Sequence, residues 1–164
     1  MTLVLGGARS GKSRHAEALV QALPAPWTYI ATAESYDAEM TARIAEHRAR
    51  RPAGWTTIDA PLDLAGAIAA APPAPLLVDC LTLWLSNTML AEADIEAAAE
   101  ALLAALRQRT DETVLVSNEV GSGIVPATPL GRRFRDAQGR LNQRVAAEAD
   151  EVLLIVAGLP LRLK

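Results

Sequence analysis

The chain has 164 residues, of which 51% are hydrophobic and 21% are charged, a composition that excludes an intrinsically disordered protein. The formal net charge is −3, so the sequence lacks the basic excess of a nucleic-acid-binding protein, and we expect no nucleic-acid partner. The single cysteine, Cys80, excludes an internal disulfide and favours a reducing compartment.

The length and the hydropathy pattern predict one soluble, cytoplasmic domain over residues 1–164. Residues 1–5 lack the positively charged start of a signal peptide. The longest uncharged stretch, residues 64–78, is interrupted by three prolines. It is too short for a membrane span, which needs roughly 18 continuous apolar residues.

In the first half of the chain, short apolar runs alternate with longer stretches of helical period. This alternation predicts an α/β fold with a mainly parallel sheet flanked by helices. Strands are predicted at residues 2–5, 28–32, 55–58 and 76–79. Helices are predicted at residues 12–23, 37–50 and 62–71.

The second half continues the same alternation. Residues 82–109 are predicted to be mostly helical, with a break around Asn87. A loop at 120–130, after the next strand, is long enough to be functional. The remaining predicted elements are strands at 113–117 and 151–156, a helix at 131–149, a turn at 158–160 and an antiparallel edge strand at 161–163.

Residues 6–13 read Gly-Gly-Ala-Arg-Ser-Gly-Lys-Ser and fit the phosphate-binding pattern G-x-x-x-x-G-K-[ST]. The pattern lies between a predicted strand and a predicted helix, where loop N–H groups and the positive end of the helix can bind an anion. Lys12 can then reach the β- and γ-phosphates, and the Ser13 hydroxyl can bind Mg²⁺. The alternative is a glycine turn that happens to precede Lys-Ser. We predict a P-loop.

Two polar positions follow predicted strands. Asp79 ends an apolar run and is a candidate second Mg²⁺ ligand at the end of a neighbouring strand, or else an N-terminal cap for the helix that follows. Asn118 and Glu119 follow the strand at 113–117, at the edge where open α/β sheets bind ligands. They are candidates to position Mg²⁺, a phosphate or the accepting hydroxyl, or they simply begin a solvated loop. Cys80 is predicted to be packed rather than reactive.

The predicted helix at 37–50 carries a histidine among arginines. Arg43, His47 and Arg50 lie at positions i, i+4 and i+7, with Arg48 and Arg51 close by. This cluster could bind phosphate and keep the imidazole neutral, as a nitrogen nucleophile must be. The alternative, which the residues alone favour, is a solvated basic helix face.

Further motifs accompany these in a fixed order along the chain. The full set is the P-loop at 6–13, Tyr29-Ile30-Ala31-Thr32, Asp37-x-Glu39-Met40, Arg43-Ile44-x-x-His47, Arg51-Pro52-x-x-Trp55, Asp79-Cys80-Leu81-Thr82, Asn118-Glu119-Val120-Gly121, Phe134-Arg135-Asp136, Asn142-Gln143 and the closing residues 160–164. Taken together, these motifs resemble one enzyme family: the bifunctional adenosylcobinamide kinase/adenosylcobinamide-phosphate guanylyltransferases of cobalamin synthesis. The resemblance runs essentially end to end.

The resemblance implies a RecA-like P-loop NTPase fold and two reactions. A nucleoside triphosphate, ATP or GTP, phosphorylates adenosylcobinamide, and GTP then transfers GMP to the new phosphate through a covalent histidine intermediate at His47. It also implies Mg²⁺ as cofactor, a corrinoid substrate and a homo-oligomer, a trimer. The implied nucleotide-binding residues are Gly6, Gly7, Ala8, Arg9, Ser10, Gly11, Lys12, Ser13, Ala31, Thr32, Ala33, Arg48, Ala49, Arg50, Arg51, Asp59 and Asp79.

Two other readings of the same residues stay open at this stage. The first is a monofunctional small-molecule kinase in which His47 and its arginines only bind substrate phosphate. The second is a nucleotide-dependent regulator or assembly ATPase whose output is a conformational change.

Overall fold

The computed structural model describes residues 1–34 and 51–164. The helix predicted over residues 37–50 lies outside these ranges. Within them, a seven-stranded sheet forms the centre of the molecule. Its strands are β1 (Thr2–Gly6), β2 (Trp27–Ala31), β3 (Trp55–Asp59), β4 (Leu76–Asp79), β5 (Thr113–Asn118), β6 (Glu151–Val156) and β7 (Leu159–Arg162).

The strand order in the sheet is β3-β2-β4-β5-β1-β6-β7. Every neighbouring pair is parallel except β6 and β7, which are antiparallel. The predicted α/β fold of P-loop NTPase type, with a mainly parallel sheet and an antiparallel C-terminal edge strand, is confirmed.

Helices cover both faces of the sheet because the strands are apolar on both sides. On one face, Val4, Leu77 and Val116 pack against α1 (Lys12–Gln21). On the opposite face, Leu3 and Leu115 belong to a larger cluster with the other described helices. These are α2 (Leu64–Ala70), α3 (Leu81–Leu90), α4 (Ile95–Gln108) and α5 (Pro129–Glu148).

The helical stretch after β4 is broken, but the predicted position of the break, around Asn87, is wrong. Asn87 lies inside α3 and is buried, and its amide donates to the carbonyls of Thr32 and Pro61 at 2.9 and 3.1 Å. Because these partners lie outside α3, the side chain does not compete with the helix backbone. The break follows Leu90, and Asp94 then caps α4 by accepting from the Ala97 N–H.

The predicted turn at 158–160 is also misplaced. The chain reverses at Ala157 and Gly158, which have φ of 53° and 81°, and Leu159 and Pro160 already belong to β7. A proline is compatible with β7 because this strand lies at the edge of the sheet. Among the helices of the described ranges, none combines the length and apolar character that crossing a bilayer requires.

Other boundaries move by one to two residues. α2 begins after Asp63, whose carboxylate accepts from the Gly66 N–H at 2.9 Å. α5 begins at Pro129, inside the predicted loop, because Thr128 caps it and proline suits the first helical turn.

Candidate active site

The loop between β1 and α1 is held in a shape that only glycine allows at Gly11. Gly11 has φ of 97°, and a Cβ there would lie 3.3 Å from the Cα of Gly158. The Gly158 N–H donates to the carbonyl of Ser10 at 2.9 Å. The β6–β7 turn therefore supports the loop from behind and fixes its backbone.

Gly6, at the end of β1, makes a second close approach. A Cβ there would lie 2.5 Å from Ser10 Oγ and 2.8 Å from the Ile155 carbonyl oxygen. The loop curls over this point, with the Ser10 N–H donating to the Gly7 carbonyl at 3.3 Å. Ser10 Oγ is buried and has no hydrogen-bond partner among the described residues. A compact loop with an unmatched hydroxyl suits a bound anion.

Lys12 begins α1 and is buried beside the loop, with 8% of its surface exposed. Its Nζ donates to the Gly7 carbonyl at 3.1 Å, so the ammonium lies at the loop. The first turn of α1 contains no acidic residue that would neutralise its positive end. Ser13 follows Lys12 and is half-buried. The charges and the donors at this position favour a phosphate chain.

Asp59 ends β3 and Asp79 ends β4, at the same edge of the sheet as the loop. Ala31, at the end of β2, lies in register with Asp59 on one side and with Asp79 on the other. The prediction that Asp79 ends a strand next to β1 is wrong, because β5 lies between β1 and β4. Two strand spacings put β4 about 10 Å from β1.

The Asp79 carboxylate accepts a hydrogen bond from the Tyr29 hydroxyl at 3.1 Å. It does not cap the following helix, since the N-cap position of α3 belongs to Cys80 and has no side-chain capping bond. Burial and the Asp79 carboxylate raise the pKa of Tyr29 far above its usual value. The phenol therefore stays a protonated donor to Asp79.

Thr32 ties the ends of β2 and β4 together. Its hydroxyl donates to the Cys80 carbonyl at 2.7 Å and accepts from the Cys80 N–H at 2.8 Å. Its own N–H donates to the Asp79 carbonyl at 3.3 Å, and the residue is fully buried. Ala31 and Ala33 on either side are half-buried. Nucleotide contacts of these three residues stay a prediction.

Asn118 lies in register with Gly6 at the end of β5, between the loop and Asp79. Its N–H donates to Thr82 Oγ1 at 2.7 Å, and its carbonyl accepts from the Asn142 amide at 3.0 Å. Asn118 Oδ1 is buried without a hydrogen-bond partner among the described residues. The Glu119 N–H donates to the Gly6 carbonyl at 3.2 Å, and its side chain is exposed. Asn118 thus presents an unmatched acceptor beside the loop.

The hydroxyl and carboxylate oxygens at this edge are of the kind that Mg²⁺ binds. In the part of the chain that the structure describes, no group of three or more His, Cys, Asp or Glu side chains could hold a metal ion. Mg²⁺ is commonly held by one or two carboxylates together with substrate phosphates and water. Ser13 follows the loop and Asp79 ends β4 at the same edge of the sheet, and binding of Mg²⁺ by these two side chains stays a prediction.

Cys80 is packed as predicted, with 7% of its surface exposed. Burial and the Asp79 carboxylate raise the pKa of its thiol to about 11, while the nearby Lys12 charge acts in the opposite direction. The thiol is therefore neutral at physiological pH and a poor nucleophile.

His47, Arg48, Ala49 and Arg50 lie outside the described residues. Arg51, the last of the predicted arginine cluster, is described: its guanidinium carbon lies 3.8 Å from the centroid of the Tyr29 ring. Arg51 Nη1 also donates to Thr57 Oγ1 at 3.1 Å. Arg51 therefore contacts the ring of Tyr29, whose hydroxyl donates to Asp79.

Sequence reasoning missed Tyr29 as a site residue, although a signal for it exists. A tyrosine inside an apolar strand needs a partner for its hydroxyl, and the carboxylate that ends a nearby strand is the natural candidate. The supporting residue Gly158 was missed as well, because its approach to Gly11 depends on the antiparallel β6–β7 turn.

Comparison with known proteins identifies the family. The family described as "Cobinamide kinase / cobinamide phosphate guanyltransferase" matches residues 2–163. The bifunctional adenosylcobalamin biosynthesis protein CobP of Pseudomonas aeruginosa is 49% identical over 99% of this chain and 96% of its own length. The bifunctional adenosylcobalamin biosynthesis proteins CobU of Salmonella typhimurium and Escherichia coli are 44% and 42% identical, each over 100% of this chain and 99% of their own length. The chain belongs to the cobinamide kinase/cobinamide phosphate guanyltransferase family, as its motifs predict.

Proposed function

We propose that this protein is a bifunctional transferase that phosphorylates adenosylcobinamide with ATP or GTP and then transfers GMP from GTP to the new phosphate. The products are adenosylcobinamide-GDP and pyrophosphate. The observation that supports nucleotide binding is the loop between β1 and α1: Gly11 in the left-handed region, the unmatched Ser10 hydroxyl, and the buried Lys12 at the loop carbonyl. The corrinoid substrate and the two reactions are proposed from the family match over residues 2–163.

In the first reaction, the substrate hydroxyl attacks the γ-phosphorus, the bond to the β-phosphate oxygen breaks, and the hydroxyl proton is released. The work of the protein is positioning and charge neutralisation. The loop N–H groups orient the phosphates, and Lys12 neutralises charge on the β- and γ-oxygens. Bound Mg²⁺, held by Ser13 and Asp79, would neutralise further phosphate charge. We propose that Asn118 Oδ1, which is buried without a partner among the described residues, accepts from the incoming hydroxyl.

In the second reaction, a neutral imidazole nitrogen of His47 attacks the α-phosphorus of GTP and pyrophosphate leaves. A phosphate oxygen of the phosphorylated corrinoid then displaces the histidine from that phosphorus. An enzyme nucleophile of this kind divides one difficult displacement into two easier ones. We propose that Arg48, Arg50 and Arg51 stabilise the charge that develops on the phosphoryl oxygens. Ala49 and Asp59 complete the proposed nucleotide contacts.

We also propose that the protein acts as a homo-oligomer, a trimer. The β6–β7 edge supports this with exposed apolar side chains, namely Val156, Leu159, Leu161 and Leu163, which are 55–71% exposed. Exposed apolar groups of this density are typical of contact surfaces. Sedimentation equilibrium measures the mass directly: we expect the mass of three chains, and a monomer or dimer at all micromolar concentrations would contradict the proposal.

Product analysis tests the two reactions separately. We expect ATP with adenosylcobinamide to give the corrinoid phosphate, and added GTP to give the GDP-linked corrinoid. His47→Gln should still form the phosphate but not the second product. A wild-type protein that stops at the phosphate would be a simple kinase. Nucleotide hydrolysis without any corrinoid product would indicate a regulator.

A further inference from the structure

Tyr29 connects two parts of the proposed site by contacts on its ring and on its hydroxyl. The Arg51 guanidinium lies over the ring at 3.8 Å from the centroid. At the other end of the ring, the hydroxyl donates to Asp79 Oδ2 at 3.1 Å. One side chain thus joins the last arginine of the predicted cluster to the carboxylate at the end of β4.

The ring of Tyr29 is fixed in place by its surroundings. Tyr29 is 5% exposed and belongs to the buried cluster on the α1 face of the sheet. It lies in register with Thr57 on β3 and Leu77 on β4. The Trp55 ring meets it edge-on, with centroids 6.0 Å apart. A ring held on three sides directs its hydroxyl at one point, so the hydrogen bond orients the carboxylate rather than following it.

The charges along this connection reinforce one another. A guanidinium over an aromatic face is attracted to the ring, and its positive charge also makes the phenol a better donor to an anion. Arg51 is itself oriented by its hydrogen bond to Thr57 Oγ1 at 3.1 Å. An unbroken series of side-chain contacts therefore runs from the edge strand β3 to the end of β4. It passes from Thr57 through Arg51 and Tyr29 to Asp79.

We propose that Tyr29 is a positioning residue that orients Asp79 for a divalent cation bound with a nucleoside triphosphate, and that Arg51 acts on Asp79 through Tyr29. This inference rests on the proposed function, because it takes Asp79 as a ligand of the cation. Mutation of a partner that holds a metal-binding side chain typically lowers metal affinity or activity by about 10–100-fold. The connection makes cation binding at Asp79 depend on Arg51, which is one of the three arginines proposed for the GMP transfer.

Tyr29→Phe is the decisive variant, because it removes only the hydroxyl and keeps the ring under Arg51. The readout is the affinity for Mn²⁺ at saturating GTP, measured by electron paramagnetic resonance with every protein in the His47→Gln background, so that no GMP is transferred to the protein. We expect Tyr29→Phe to bind Mn²⁺ roughly tenfold more weakly than the wild type. Fluorescence of Trp27 and Trp55, which pack around this position, should stay unchanged.

Thr88→Val is the matched control. The Thr88 hydroxyl is also buried and donates to the Trp84 carbonyl at 2.8 Å inside α3. Its removal should destabilise the fold in a similar way but leave the Mn²⁺ affinity unchanged. An equal loss of Mn²⁺ affinity in Thr88→Val would mean that general loosening explains the result, and it would overturn the inference.

Asp79→Asn separates this inference from the proposed function. If Asp79→Asn weakens Mn²⁺ binding and Tyr29→Phe does not, the positioning role of Tyr29 is overturned while the metal role of Asp79 stands. If Asp79→Asn binds Mn²⁺ like the wild type, the proposed ligand itself is wrong and the inference falls with it. For Arg51, the double variant Arg51→Gln/Tyr29→Phe should be no weaker than the worse single variant. Fold-losses that multiply would overturn the action of Arg51 through Tyr29.

Discussion

The two ends of the central sheet differ in how their charged and polar groups are paired. At the amino ends of β1, β5 and β6 lies a cavity of about 270 Å³, and every charged group that lines it lies 3.9 Å or less from an opposite charge. The N-terminal ammonium meets Asp150 at 2.6 Å, and Arg107 meets Glu148 at 2.5 Å. One buried atom there, Arg109 Nε, has no partner among the described residues, although the same guanidinium donates to the carbonyls of Pro72 and Ala74. At the carboxyl ends, the neutral Ser10 Oγ and Asn118 Oδ1 are buried without partners among the described residues.

This difference distinguishes the end of the sheet whose charges stabilise the fold from the end that could bind a ligand. A cavity whose charges already neutralise one another offers a charged ligand little net attraction. Buried polar atoms without partners cost stability, and a ligand that satisfies them recovers that cost. The carboxyl end is therefore the better candidate for the active site. The comparison leads to four predictions, taken from the largest expected effect to the smallest.

Lys12→Ala should have the largest effect. It removes the buried ammonium beside the loop, and we expect kcat/KM for corrinoid phosphorylation to fall by roughly 10²–10³-fold. Far-UV circular dichroism should be unchanged. Arg107→Ala, at the amino end of the sheet, is the matched removal of a cation and should leave kcat/KM near wild type. Loss of the fold in Lys12→Ala would contradict the role given to this lysine.

Gly11→Ala should lower the free energy of unfolding by about 2–3 kcal/mol and abolish tight nucleotide binding. The reason is the φ of 97° together with the 3.3 Å approach to Gly158. Gly139→Ala is the control, because a Cβ there meets nothing within 4 Å inside α5. It should stabilise the protein by up to about 1 kcal/mol. Urea unfolding measures both, and equal effects of the two variants would show that the loop is not constrained.

Asn142→Ala should destabilise the protein by about 1–2 kcal/mol, because it removes buried partners of the Ser117 hydroxyl and the Asn118 carbonyl. The thermal midpoint should fall by several degrees. Gln143→Ala changes the neighbouring amide, which is exposed, and should have almost no effect. Equal midpoints for the two variants would mean that this buried network does not support the end of β5.

Asp150→Asn should have the smallest effect, and it depends on pH. The hydrogen bond from the N-terminal ammonium lowers the pKa of Asp150 below its usual value of 3.8. The stabilisation is therefore present above the unfolded pKa and is lost as pH falls through the lower folded pKa. The free energy of unfolding of the variant should lie slightly below wild type at pH 7, and the two should converge below about pH 4. A difference in free energy of unfolding between the two proteins that grows as the pH falls would contradict the lowered pKa of Asp150.

Much of this architecture could be predicted from the sequence, because periodicity and local motifs encode it. Apolar runs predicted the position of every strand in the described ranges. The P-loop pattern predicted a helix that begins at Lys12, and α1 begins there. Strand order has no local signal, so the insertion of β5 between β1 and β4 could not be predicted from the aspartate at the end of a strand. The same holds for Asn87, whose partners Thr32 and Pro61 are distant in sequence.

The site is encoded less locally than the fold. The P-loop is contiguous, but the Tyr29–Asp79 hydrogen bond joins residues 50 positions apart. Its prediction requires the β2–β4 pairing, which only the folded chain reveals. The Gly158 contact with the loop likewise depends on the position of the β6–β7 turn, which was predicted one to two residues too late.

The central claim is that one polypeptide activates GTP by taking its GMP group onto His47. Intact-mass spectrometry after incubation with Mg-GTP and no corrinoid tests it most directly. We predict one added GMP per chain in the wild type, lost on mild acid treatment but stable to alkali, and absent from His47→Gln. A wild-type protein that binds GTP, keeps its fold and shows no added mass would contradict the claim.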